Sequence, residues 1–256
     1  MEPDALVLLD VTDNVAVLTL NRPDARNALS PELIVRLQQS CADCDARDDV
    51  AAMVLTGADP AFCGGIDLKR LAAGTSRAAA LIGNAAFPPH RKPIIGAVNG
   101  AAVTGGLELA LACDFLIASE RARFADTHAR VGVMPGWGLT IALPEAIGLR
   151  RARQMSFTGD FVDSATALVW GLVNEVVPHE QLLPRARQIA LDVASIRSAC
   201  VQEIRSMYDE VADRLGADAR EFESRRSREW MRDQFDRAQL ASDREDIVRR
   251  GRSQIS

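Results

Sequence analysis

Only three histidines (His90, His128, His179) and five cysteines (Cys41, Cys44, Cys63, Cys113, Cys200) occur in 256 residues. So few soft ligands leave little room for a structural metal. An odd number of cysteines in a long chain does not read as a disulfide framework. The lone C-x-x-C of Cys41 and Cys44 lies in QQSCADCDAR, which has helical spacing and no second pair to complete a zinc site. The thiols are therefore read as reduced, and the protein as cytoplasmic. A basic excess is missing too: the formal net charge of −5 argues against a general nucleic-acid binder. No apolar run approaches the length of a membrane span. The opening MEPDALVLLDVTD is acidic from its second residue and lacks the basic start of a signal peptide. Neither G-x-G-x-x-G nor a P-loop is found, since no Lys-Ser/Thr pair follows Gly105-Gly106, so nucleotide binding by those devices is not expected.

What is there is the ordinary material of a globular protein, 48% hydrophobic and 25% charged, long enough for one core with an appendage. ALVLLD and VAVLTL, separated by TDN, predict a hairpin. Ser30-Pro31 offers an N-cap and a first-turn proline for a helix over ELIVRLQQSCADCDAR. VAAMVLTG, KPIIGAVNG and FLIAS read as strands, and GGLELALAC as a helix. AFCGGIDL reads as a loop that leads into a short helix through LKRLAA, and a further helix is expected over SRAAALIGNAA. The repeat of strand, glycine loop and helix predicts an α/β fold with its glycine loops on one side. From about residue 196 strand-like runs give way to long helical stretches rich in Arg, Glu and Asp. This places a boundary between a core over 1–195 and a helical region over 196–256. Acids and bases interleave there almost one for one, which fits a solvated or subunit-facing surface.

One residue stands apart. TGGLELALACD, residues 104–114, sets Glu108 in an apolar segment, where a carboxylate is costly unless it is paired or used. Two glycine loops, FCGGID at 62–67 and TGGLE at 104–108, each follow a strand and let backbone N–H groups approach a ligand. Two such groups converging on one carbonyl oxygen make an oxyanion hole. Glycines also serve turns and close packing.

Taken together, NRPDARNALS (21–30), AFCGGIDL (61–68), KPIIGAVNGAAVTGGLELALACDF (92–115), VGVMPG (131–136) and FTGDFVDSATALVWGLVNEVV (157–177) resemble the crotonase family, the enoyl-CoA hydratase/isomerase superfamily. The resemblance implies a spiral of ββα repeats with a C-terminal helical region that caps the site and joins copies into homotrimers, often paired into hexamers. It implies an acyl-CoA thioester as substrate, with no metal and no cofactor beyond the coenzyme A that the substrate carries. No nucleic-acid or membrane partner is expected. Gly64 and Gly105 fall where the family supplies its oxyanion N–H groups. Cys63, Gly65 and Asp67 lie on the loop that embraces the CoA arm, and Ala25 and Arg26 on the segment that meets its nucleotide end. Arg22, Arg26, Lys69 and Arg70 are candidates for a local phosphate patch, or else ordinary surface charge.

Family hydratases use two glutamates, one to activate water and one to deliver a proton to Cα. Glu108 matches the first. The second position, twenty residues on, holds His128, with Gly132 and Pro135 keeping the family spacing. Histidine can run acid/base chemistry near neutral pH, or His128 simply fills space. Asp126, two residues earlier, is a weaker substitute because its offset changes direction. Trp137 brings an indole to a glycine-rich run, where it either shapes the acyl pocket or packs in the core or a subunit contact. The expected activity is addition of water to a trans-2-enoyl-CoA. The alternatives are double-bond isomerisation, retro-addition, or acyl-CoA binding without turnover.

Overall fold

The structure is a computed structural model that describes residues 5–72 and 85–254. The helix expected over SRAAALIGNAA falls largely outside these residues. The N-terminal hairpin pairs β1 (Val7–Thr12) antiparallel with β2 (Val15–Leu20). Asp13 and Asn14 make the turn with φ of 52° and 63°, the left-handed geometry that a two-residue hairpin loop needs. Ser30 caps α1 (Pro31–Ala46), its hydroxyl accepting from the Leu33 N–H at 3.2 Å, with Pro31 in the first turn. Cys41 and Cys44 are buried on α1, and all five cysteines are free thiols.

From there the chain climbs by repeats that feed two sheets alternately. β3 (Ala52–Gly57), β5 (Ile94–Val98) and β7 (Phe115–Ser119) add parallel to the larger sheet, of order β1-β2-β3-β5-β7-β10, which β10 (Glu175–Val177) closes. Each is followed by a three-residue strand in the smaller sheet, β4 (Ala61–Cys63), β6 (Ala101–Val103) and β8 (Arg123–Ala125). β9 (Val162–Asp163) pairs antiparallel at its edge. The residues of AFCGGIDL expected in a loop thus begin as a strand. After each short strand comes a helix: α2 (Leu68–Ala72), α3 (Gly105–Leu111) and α4 (His128–Val131). This is the expected ββα spiral.

The inner strands of the larger sheet, β2, β3, β5 and β7, are buried on both faces, which their near-continuous apolar sequences require. Val15, Val17, Ala52, Val54, Ile95 and Ala97 pack against Leu182, Ala186 and Ala190. The alternate residues Ala16, Leu18, Met53, Leu55, Ile94 and Val98 join Leu33, Leu37, Leu107 and Leu109 in the main core. Past the last repeat lie α5 (Leu139–Ile147), α6 (Leu149–Thr158), α7 (Ser164–Trp170) and α8 (Leu182–Ala194). The chain then runs as one 36-residue helix, α9 (Ser198–Asp233), and ends in α10 (Arg237–Ser253). Among the described residues no helix is long and apolar enough to cross a membrane.

Candidate active site

The starts of α3 and α4 meet beneath the loop that enters α5. Thr104, just before α3, has φ 54° and ψ −114°, a conformation costly for a β-branched residue. Its hydroxyl hydrogen-bonds that of Thr127, just before α4, and so ties the two turns together. Gly106 must be glycine: a Cβ there would lie 2.1 Å from the Cys63 carbonyl oxygen. That close approach holds α3 against the end of β4. Gly65 takes φ +85° and would drive a Cβ to within 2.5 Å of the Val103 oxygen.

Glu108 lies on α3, 5% exposed. The N–H groups of Gly136 and Trp137 donate to its Oε1 at 3.0 and 2.8 Å. Its Oε2 faces His128 Nε2 at 3.4 Å. On the other side of the ring, His128 Nδ1 lies 2.6 Å from Asp126 Oδ1. Asp126 therefore does not swing in as a substitute for a missing glutamate, because it is engaged with the far nitrogen of the same imidazole. Burial alone pushes the His128 pKa down, but hydrogen bonds to Asp126 and Glu108, reinforced by their charges, raise it to about 9. At neutral pH the ring is an imidazolium that donates from both nitrogens. The other two histidines have different partners: His179 bridges Ser119 and Asp59, and His90 contacts Arg205.

Gly105 opens α3, so its N–H has no partner within the helix. Gly64 does not match it, because its N–H donates to the Arg26 carbonyl at 2.8 Å. The N–H beside Gly105 is that of Ile66, whose nitrogen lies 3.9 Å from the point a Cβ on Gly105 would occupy. The bridge between Leu29 and Ile66 uses the N–H groups of Leu29 and Asp67 and not that of Ile66. The sequence alone does not single out which N–H of this loop faces Gly105, because every residue on it has one.

Other expected contacts are spent inside the chain. The Cys63 thiol is fully buried, donates to the Asn27 carbonyl, and has a pKa pushed up to about 12 by burial. Asp67 accepts from Arg22 Nη2 at 3.2 Å and from the Arg70 backbone N–H at 3.4 Å, at the start of α2. Arg70 also pairs with Glu32 at 2.6 Å. Arg26 and Lys69 are exposed, and Ala25 is half-buried beside Arg26 at the end of a short 3-10 turn. Trp137 is half-buried and packs against the main core while its backbone serves Glu108. Among the described residues no three His, Cys, Asp or Glu side chains gather as a metal site.

Glu223 was missed. It stands in EFESRRSREW on α9, which reads as a charged outer face, yet it is 6% exposed. Its carboxylate accepts from the N–H groups of Gly138 and Thr140 at 2.6 and 2.7 Å and from the Thr140 hydroxyl. These are orphan donors at the start of α5, where an anion is favoured. The Ser227 hydroxyl donates to Met134 O at 3.0 Å and Trp230 Nε1 to Gly132 O at 2.7 Å. One helix thus secures the whole loop whose N–H groups seat Glu108. The available signal was Glu223-Ser224-x-x-Ser227, polar residues at helical spacing on one face. Glu223→Ala is expected to cost about 1–3 kcal/mol through the donors it strands. Thermal unfolding checks this, and kcat should fall more than KM rises.

A family model described as enoyl-CoA hydratase/isomerase matches residues 10–238. The chain belongs to that family. A crystal structure of enoyl-CoA hydratase from Mycobacterium smegmatis superposes with a TM-score of 0.83 at 47% identity, covering 90% of this chain and 99% of that one. An (E)-benzylidenesuccinyl-CoA hydratase of Thauera aromatica is 42% identical over 202 residues, 77% of this chain and 79% of its own. A probable peroxisomal enoyl-CoA hydratase 1 of Arabidopsis thaliana is 38% identical over 205 residues, 77% of this chain and 75% of its own.

Proposed function

We propose that this enoyl-CoA hydratase/isomerase family member adds water across the double bond of a trans-2-enoyl-CoA. The observation that carries the reading is the buried pairing of Glu108 with an imidazolium, His128, beside the orphan N–H of Gly105. The Gly105 and Ile66 N–H groups receive the thioester oxygen and stabilise the charge it takes as the enolate forms. Glu108 takes a proton from water as the oxygen bonds to Cβ, and His128 Nε2–H protonates Cα. Arg26 and Lys69 stand exposed for the CoA phosphates, with Ala25 and the backbone of Cys63 and Gly65 along the arm. Trp137 bounds the acyl end.

Residues 196–256 act in this reading as a cap over the site and a contact between copies in a homotrimer or hexamer. Ile204, Met207 and Tyr208 are exposed at helical spacing on α9, an apolar stripe suited to a second copy. The five free thiols fit a reducing compartment such as the cytoplasm.

The test is turnover of purified protein on trans-2-enoyl-CoA esters of short, medium and long chain, with aryl-bearing esters included because one relative carries that specificity in its name. Loss of the conjugated thioester absorbance with formation of 3-hydroxyacyl-CoA is the expected result. Binding without turnover on every ester would sink the hydratase reading. A second reading, double-bond isomerisation, draws on the same contact: a base and an acid 3.4 Å apart can also move a proton between Cγ and Cα.

A further inference from the structure

We propose that Asp126 is a positioning residue: a single oxygen of its carboxylate holds both the backbone and the ring of His128, and so aims Nε2–H at Glu108. This role rests on the acid/base reading above. Asp126 Oδ1 accepts from the His128 backbone N–H at 3.1 Å and from the ring Nδ1–H at 2.6 Å. Asp126 follows directly on β8 and is 2% exposed. Its own position is therefore set by the end of that strand, in a buried site. A ring held at Nδ1 has one way to face, and Nε2 is the nitrogen left for chemistry.

The arrangement also decides how the site resets. At the start Glu108 is ionised and His128 carries protons on both nitrogens. Water's oxygen bonds to Cβ, its proton goes to Glu108, and the π electrons draw the Nε2 proton onto Cα. Glu108 is then protonated, while His128 is neutral with its remaining proton kept on Nδ1 by Asp126. The bare Nε2 faces Glu108 Oε2, the oxygen 3.4 Å away, and takes the water-derived proton back. No proton need come from bulk solvent, and the net change is water added to the substrate.

The charged groups facing His128 are Glu108 from α3 and Asp126 from its own turn, and both favour the imidazolium against the cost of burial. Nitrogen-15 NMR of the histidine-labelled full chain, run beside the pH profile of kcat, tests the role. In the wild type both ring nitrogens should be protonated at neutral pH, with kcat falling as pH rises through about 9. Asp126→Asn should bring both transitions down together by about one pH unit or more, and lower kcat about tenfold or more with KM little changed. An unmoved ring titration and an unmoved alkaline limb would overturn the proposal even if kcat fell, since a merely structural residue would do that. Should Asp126→Asn fail to fold, the wild-type spectrum decides: a neutral-pH ring with Nδ1 bare overturns it. The ring titration needs no turnover, so a protein that hydrates nothing but shows the expected titration refutes the hydratase reading and leaves the placement by Asp126 standing.

Discussion

Glu108→Gln is expected to lower kcat for enoyl-CoA hydration by about a thousandfold or more while CoA-ester binding stays nearly intact. The carboxylate answers to donors on both sides. Oε1 accepts from the Gly136 and Trp137 N–H groups, and Oε2 faces the protonated Nε2 of His128. An amide has one accepting oxygen. If that oxygen stays with Gly136 and Trp137, the NH₂ group meets the imidazolium N–H. If it flips, the NH₂ group meets the two backbone donors. Either way a donor faces a donor, and the base is gone. The Gly105 and Ile66 N–H groups and the loop at 62–67, to which the proposal gives the thioester and the CoA arm, are untouched, so titration with a 3-hydroxyacyl-CoA should give a Kd close to the wild-type value. Retained turnover would remove Glu108 from the mechanism.

His128→Glu restores the residue that family hydratases carry, and on sequence grounds alone it should improve hydration if the site merely lacks its second carboxylate. The structure leads to the opposite expectation. His128 is 3% exposed and stands between Glu108 and Asp126 as their shared cation. A glutamate in its place would make three carboxylates in one buried cluster with the compensating charge removed. The expected loss of stability is about 3–5 kcal/mol, the usual consequence of breaking a buried pair from one side. Urea unfolding measures it, and hydration should fall with it. Adding Asp126→Asn to His128→Glu removes one of the repelling charges and should recover part of the loss. A single variant as stable as the wild type and faster in hydration would show that the imidazolium has no particular place in the chemistry.

How much of this was legible beforehand follows the length over which each signal extends. The hairpin, α1 with its Ser30 cap, and β3, β5 and β7 carry patterns of five or more residues, and they form as the sequence indicates. β4, β6 and β8 are three residues long, too short for alternation to register, so AFC reads as loop. Glu108 stands out in the sequence as a carboxylate in an apolar segment, and Gly105 is singled out by the family resemblance. That the Gly64 N–H donates to Arg26 while Ile66 lies beside Gly105 shows only in the third dimension. Asp126 was set aside for its two-residue offset from His128. That offset is what places a carboxylate against the far ring nitrogen where a strand turns into a helix. Glu223 was hidden by composition, a buried anion among the surface charges of α9.

The grip of α9 on the loop at 132–140 has a meaning in time as well as in space. The contacts of Glu223 with Thr140, Ser227 with Met134 and Trp230 with Gly132 span 83, 93 and 98 positions of sequence. While the polypeptide is being made, α3 and its glutamate emerge long before the helix that fastens the loop above them. A nascent chain that has passed residue 140 but not reached Glu223 therefore carries Glu108, His128 and their loop without the helix that fastens it. The order of synthesis thus leaves the loop over Glu108 to be fastened by contacts that form after the loop itself is complete.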